Sequence, residues 1–330
     1  MPRLIKAGLF VALASTLSWA ALAQTVELRL AHGSPRGHPN YTHAEMLAER
    51  IGQATEGEVA IDVFGDRQLG DDRDIIQLVA AGTVDMGYAS SVNFPLLLGK
   101  VAFDALQLPG LVATYDDLAL MLQSEPAIEM LDSLEDSGLK GLCYSEGGQR
   151  HFLNREGPIR TMEDFAGLKT RIVPIPLHKA IWERMGTNPV GVPYAEVYTA
   201  LQTNVIDASD TNISSIGADN LWENAKHVTL TGQYFWPGLF FMNKAKYDGL
   251  PPDLQQAIVD TCRNLTPEFV AHTKQQEAEG IERLEAEGVQ IYEFEDRERL
   301  LELMQPVFDE WAAKDPLIGD YIEATQTLGQ

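Results

Sequence analysis

The 330 residues carry 25 Lys and Arg against 48 Asp and Glu, a formal net charge of −23. A surface this acidic repels nucleic acid and anionic lipid, which argues against both as partners. At about 150 residues per domain the length suggests two domains, each large enough for its own core, and 45% hydrophobic with 8% aromatic residues is ordinary for a globular chain.

The N-terminus reads as a secretory signal. Arg3 and Lys6 are its basic part, Gly8 to Trp19 its apolar part, and Ala21-Leu22-Ala23 a small-x-small cleavage site that makes Gln24 the first mature residue. The apolar stretch is short for a membrane anchor, and Ser15, Thr16 and Ser18 interrupt it. No cysteine follows the site, so no lipid anchor is expected. Cleavage would place the protein in the periplasm and, with Arg3 and Lys6 gone, take the net charge to −25. An anionic ligand would then need positive charge concentrated at its own site.

Apolar alternation predicts a strand over Val26 to Ala31 and another over Glu58 to Phe64. Between them Ala44, Leu47, Ala48 and Ile51 form one stripe of a helix spanning about Tyr41 to Thr55. A helix from Asp71 to Ala81 ends at Gly82, and Val84 to Ala89 reads as a buried strand. Alternating strands and helices predict an α/β unit with a mainly parallel sheet. The pattern restarts with a strand over Leu139 to Ser145 and a short helix over Met162 to Ala166. Strands then fall at Lys169 to Val173, Pro189 to Val192 and Val205 to Ala208, separated by helices at Leu177 to Met185 and Glu196 to Thr203. Leu239 to Met242 is an apolar run. Pro251 to about Glu287 reads as one helix with Leu254, Ile258, Cys262, Leu265 and Phe269 buried, and at 1.5 Å per residue it is long enough to lie along both units. A strand over Val289 to Phe294 and a helix over Arg297 to Ala313 close the pattern. Two α/β lobes imply a cleft between them, where small ligands bind.

Cys143 lies in an apolar run and Cys262 on the long helix. Each reads as a small core residue rather than as half of a disulfide, although an oxidising compartment permits one. The spacing of His32, His38 and His43 fits no metal-ligand motif, so neither metal nor cofactor is expected. A Gly-x-Ser-x-Gly elbow, a Walker loop and a His-Glu-x-x-His pair are all absent, which leaves no assembled catalytic constellation and no expectation of an enzyme.

Several stretches carry a family resemblance through their order and spacing. They are Gly37-His38-Pro39, Asp62-Val63-Phe64 leading to Gln68-Leu69-Gly70-Asp71-Asp72-Arg73, and Gly82-Thr83-Val84-Asp85-Met86. Gly167-Leu168-Lys169-Thr170-Arg171, Glu196 to Thr203 ending at Asp207, and Asn243-Lys244 before Leu250-Pro251-Pro252 complete the set. With them the chain resembles the DctP-type substrate-binding subunits of tripartite ATP-independent periplasmic (TRAP) transporters. The resemblance implies an α/β periplasmic binding protein fold of two lobes, with a long helix spanning both, that closes on a ligand. It also implies delivery to membrane subunits driven by an ion gradient. On this reading residues 1–23 are the signal peptide, 24–147 plus about 237–275 form lobe I, and 148–236 plus about 276–330 form lobe II.

Arg171 is the first candidate ligand residue. A guanidinium presents two parallel N–H donors to a carboxylate, and the family's Gly-Leu-Lys-x-Arg arginine does this. Arg150, at the expected lobe crossing, is the second. Tyr194 stands where the family places an aromatic residue against the ligand. The family's Asn aligns with Thr211 while Asn212 is one residue later; both are candidates, with Asn212 favoured. Asp72, Ser90 and Asn93 would form the facing wall, and Trp236 would roof the pocket. Sialic-acid binders of this family have a Glu and an Arg where this chain has Ser90 and Asn93, which argues against sialic acid. The expected function is therefore capture of a small organic acid, such as a sugar acid or another hydroxy acid, for a TRAP-type transporter. Presentation of a ligand to a periplasmic sensor is the alternative.

Overall fold

The computed structural model describes residues 25–328; the expected signal segment and Gln24 lie outside the described residues. In chain order the first elements are β1 (Val26–Ala31), α1 (Pro39–Ala54), β2 (Val59–Phe64), α2 (Asp72–Ala80) and β3 (Met86–Ser90). Then come α3 (Asn93–Leu98), α4 (Tyr115–Met121), α5 (Glu125–Asp132) and β4 (Leu139–Asn154). The next run is β5 (Lys169–Ile172), α6 (Pro176–Arg184), β6 (Asn188–Gly191), α7 (Val197–Gln202), β7 (Ala208–Asn212), α8 (Ile213–Ala218) and β8 (His227–Leu230). The last are β9 (Phe235–Asn243), α9 (Lys244–Asp248), α10 (Pro252–Ala286), β10 (Gln290–Glu293), α11 (Arg297–Ala312) and α12 (Pro316–Gln326).

Local chemistry sets the early boundaries. His38 Nδ1 accepts the Asn40 amide at 3.2 Å, and Pro39 occupies the first helical turn of α1, where no N–H is needed. Asp71 and Asp74 cap α2 reciprocally, each carboxylate taking the other's backbone N–H.

The strands run in the order β2-β1-β3-β9-β4-β7-β5-β6, with β8 and β10 branching from β4. Pairing is parallel in the flanks: β1 with β2 and β3, β5 with β6 and β7, β8 with β10. The mainly parallel sheet expected of each unit holds in the flanks, and at the centre β9 and β4 run antiparallel to their neighbours. A parallel neighbour needs a crossover back to the starting end of the sheet. β4 and β9 instead carry the chain directly from one lobe to the other.

β4 also continues past Ser145 to Asn154. The glycine pair Gly147-Gly148 forms a bulge in it: register shifts between Glu146 and Gln149, and Gly148 takes φ +121°, a region closed to most side chains. The strand expected at Val205 to Ala208 lies later, at β7. Asn204 turns with φ +62°, and the Val205 amide still closes α7 on Ala200. Met162–Phe165 is a single 3-10 turn.

α10 has 35 residues, about 52 Å at 1.5 Å per residue. It tracks beside β4. Thr266 and Thr273 donate to the carbonyls of Tyr144 and Glu146, Glu277 accepts the Gln149 amide, and Gly280 packs directly on Ile213 of α8. Cys143 and Cys262 are joined by a disulfide, with Cα atoms 5.4 Å apart. The expectation of two unlinked core residues is thereby corrected. Both are buried where β4 packs on α10, a contact between residues 119 apart that no local pattern encodes.

Candidate functional site

Between the two halves of the sheet lies a cleft of about 980 Å³ counting its open mouth. Its walls are set by strand ends. Arg171 comes from β5, Arg150 and Asn212 from the paired strands β4 and β7, and Trp236 from β9. Ser90 ends β3, Asp72 opens α2 and Asn93 opens α3. With Tyr194, eight of the nine candidate residues line this one cleft.

Thr211 is the exception. It pairs in register with His151, is buried, and its Oγ1 has no partner among the described residues. Side chains alternate along a strand, so Asp210 and Asn212 share one face of β7 and Thr211 takes the other.

The two arginines differ in electrostatic state. Arg150 is 2% exposed, and its guanidinium is held through Nε, Nη2 and one face. Nε donates to Asp210 Oδ2 at 3.2 Å, Nη2 lies 3.2 Å from that same oxygen and donates to the Asp210 carbonyl, and the group stacks 3.9 Å from the Trp236 ring centre. Asp210 also accepts the Tyr234 hydroxyl at 2.6 Å. Burial alone would push the Asp210 carboxyl up, but Arg150, His178 and Arg171 outweigh it and hold it below the ordinary range. Arg150 is thus a neutralised cation.

Arg171 is 3% exposed, and among the described residues its one hydrogen bond runs from Nε to the Val192 carbonyl at 3.0 Å. Among the described residues no carboxylate pairs with it. Burial lowers it to about 10, so it stays a cation at neutral pH. Its two terminal nitrogens carry a full charge with no protein acceptor, the donor geometry that a carboxylate matches.

The facing wall is a small network built on Asp72. Its Oδ2 accepts the Ser90 amide at 2.8 Å and Asn93 Nδ2 at 3.1 Å, and Oδ1 has no hydrogen bond among the described residues. Ser90 Oγ accepts Trp236 Nε1 at 3.1 Å, so the indole bridges this wall to Arg150. Asn212 caps α8 through its Oδ1 and donates Nδ2 to the Gly147 carbonyl, which braces the bulge of β4. Tyr194 donates its hydroxyl to Asp219 at 2.5 Å and presents its ring 5.7 Å from Arg171.

Two elements of the site escaped the sequence reading. Asp210 fell inside the stretch considered for Asn212, but its pairing with Arg150 depends on strand register. Arg67 directly precedes the Gln68-Leu69-Gly70 stretch and also lines the cleft, a position next to a motif that could have flagged it. His38 lines the cleft as the cap of α1. His43 is bonded to Ser145 and His272, and His32 packs edge-on to Tyr41. Among the described residues no group of three or more His, Cys, Asp or Glu is placed to hold a metal ion. No helix among them is long and apolar enough to cross a membrane.

Two α/β lobes that meet at a cleft, with a buried guanidinium that has no carboxylate partner among the described residues, define a solute-capturing receptor. Residues 30–315 match the family described as bacterial extracellular solute-binding protein, family 7, and the chain belongs to that family. It is 30% identical over 330 residues to the 2,3-diketo-L-gulonate-binding periplasmic protein YiaO of Escherichia coli, covering 99% of each chain. It is 27% identical to the C4-dicarboxylate-binding periplasmic protein DctP of Rhodobacter capsulatus, covering 92% of this chain and 91% of the relative. Among solved structures, a TRAP periplasmic solute-binding protein from a Bradyrhizobium species in complex with α/β-D-galacturonate superposes with a TM-score of 0.84. The two are 26% identical, over 91% of this chain and 99% of the other. The two-lobe fold and the role of solute-binding receptor follow; the family consists of receptors rather than enzymes.

Proposed function

We propose that this receptor captures a small monocarboxylate bearing hydroxyl groups, of sugar-acid size, and delivers it to the membrane subunits of a TRAP transporter. One observation carries the reading: Arg171 is a buried cation in the cleft whose terminal nitrogens have no protein partner. An unpaired buried charge is costly, and a carboxylate clamped by both nitrogens offsets that cost. Arg150 is already neutralised by Asp210, so the arginine side of the cleft offers one net positive charge for one anionic group. Asp72 supplies an acceptor for ligand hydroxyls on the other side, and Trp236 and Tyr194 supply apolar surface for carbon–hydrogen faces. The relatives named for diketogulonate and galacturonate support a sugar acid. Residues 1–23 would direct export, and closure of lobe I on lobe II would present the loaded form to the transporter.

Calorimetric titration against D-galacturonate, D-glucuronate, aldonates and C4-dicarboxylates tests the reading. A sugar monoacid should bind best, and Arg171→Ala should weaken it about 100-fold or more. Undiminished affinity in that variant would overturn the assignment of Arg171.

A further inference from the structure

We propose that Arg67 and Asp219 form a latch across the mouth of the cleft that holds Tyr194 against Arg171 and slows escape of the ligand. Arg67 follows β2 on one half of the sheet, and Asp219 follows α8 on the other. They are 152 residues apart in sequence, and their side chains meet at 3.1 Å. Asp219 works in two directions: Oδ1 accepts Arg67, while Oδ2 accepts the Tyr194 hydroxyl. The Tyr194 ring thereby has a guanidinium from each half nearby, Arg67 at 5.5 Å and Arg171 at 5.7 Å from its centre. Losing Asp219 would free the tyrosine that packs beside the ligand-clamping arginine, and losing Arg67 would leave the Asp219–Tyr194 pair without its tie to the other half. Arg67 and Asp219 are positioning residues in this scheme, since they act through Tyr194 and through the closed arrangement of the lobes.

The loop that carries Arg67 is built to aim it. Asp66 and Arg67 occupy consecutive left-handed conformations, φ +59° and +57°, which side chains other than glycine adopt reluctantly. Such strain persists where surrounding contacts enforce it. Here the Asp66 amide is tied to the Ser34 carbonyl at 3.0 Å and the Gly70 amide to the Arg67 carbonyl at 3.1 Å. Gly65 has no room for a Cβ, which would fall 2.6 Å from His32 and from Tyr41. A loop held this way presents its arginine over the cleft with the backbone already ordered, so only side-chain entropy opposes the pair. The side chains are 30% and 17% exposed, which leaves the pair partly open to salt screening.

The inference rests on the cleft being the acid-binding site, and its test separates the two ideas. Release and association of D-galacturonate are followed by tryptophan fluorescence in rapid mixing, for wild type, R67Q, D219N, R67Q/D219N and the charge swap R67D/D219R. Each single variant should release the ligand about 3- to 10-fold faster with association little changed. The double neutral variant should be no worse than either single one, and the swap should move release back toward wild type. High salt should speed release from wild type and leave the single variants unaffected. Wild-type release in D219N, or additive effects in the double variant, would overturn the latch, the latter pointing to direct ligand contact by Arg67 alone. If wild type binds none of the acids, the ligand reading falls, and scattering of the ligand-free proteins decides the latch. A radius of gyration enlarged in both single variants and restored by the swap supports it, and unchanged values reject it.

Discussion

Arg150 and Asp210 are locked as an ion pair with neither side chain open to solvent, 3% and 0% exposed. Asp210→Asn keeps the shape and leaves Arg150 buried without a counter-charge, which should destabilise the fold by about 3–5 kcal/mol. Arg171→Ala removes a buried cation that has no counter-ion to lose, so its stability should match or exceed wild type while its binding collapses. Chemical denaturation of the two variants side by side checks both, and a large stability loss in Arg171→Ala would contradict the division of labour between the arginines.

Asp72 should act as a charge filter. A second carboxylate on the ligand would approach Asp72, whose Ser90 amide and Asn93 donors both meet Oδ2. A dicarboxylate such as galactarate should therefore bind at least about 10-fold more weakly than galacturonate, since like-charge contact in a closed cleft costs more than a kcal/mol. Asp72→Asn should narrow the gap. Burial raises the Asp72 carboxyl, so discrimination should also fade as pH drops and that acid takes up its proton. Competition titrations at two pH values measure both effects.

Glu146 sits at the lobe crossing, fully buried. Its Oε1 accepts the Gly148 and Trp236 amides, and its Oε2 has no partner. Burial is the main cause that raises it from 4.5 to about 8; the amides oppose the shift and nearby Glu277 adds to it. Between those values the folded protein binds more protons than the unfolded chain. Stability from this group is therefore lost as pH rises through the folded value, at up to about 1.4 kcal/mol per pH unit. Glu146→Gln retains the acceptor and removes the titration. It should raise the melting temperature at pH 8 and flatten the decline between about pH 6.5 and 8, above the range in which the buried histidines act. The acid side should be unaffected, because His32, His38 and His178 govern it. Burial lowers these to about 4, 3 and 4, so their contribution is lost as pH falls below the unfolded value of 6.5.

The Cys143–Cys262 bridge closes a loop over a sequence separation of 119, which in the chain-entropy description is worth about 3–5 kcal/mol. Reduction, or the paired Cys143→Ser and Cys262→Ser change, should lower the unfolding free energy by that amount, measured by chemical denaturation. Galacturonate affinity should change little, because neither cysteine lines the cleft. A loss of binding on mild reduction would mean that the bridge sets the lobe geometry.

The elements legible in the sequence were those with strong periodicity or punctuation. β1, α1, β2 and α2 fall within a few residues of expectation because alternation, the Ala44–Leu47–Ile51 stripe and the Asp71 cap are local signals. The helices α3, α4 and α5, the strand β8 and the helices α8, α9 and α12 went unassigned. Five of them, α3, α4, α8, β8 and α9, have at most seven residues, too few for a period to show. The continuation of β4 through Gly147 and Gly148 was hidden for the opposite reason, since two glycines read locally as a break.

Arg171 and Arg150 were reached through a family resemblance carried by local motifs together with guanidinium chemistry, and Asp72 and Trp236 were proposed beside them as walls of the expected cleft. Proximity across the fold was beyond these signals. Only packing decided that Asp210 cancels Arg150 while Arg171 stays unpaired, that Asn212 rather than Thr211 faces the cleft, that Cys143 meets Cys262, and that Arg67 reaches Asp219. The physical reason is common to all four. Each turns on register or on contact between distant segments, and a shift of one residue along a strand turns a side chain to the other face.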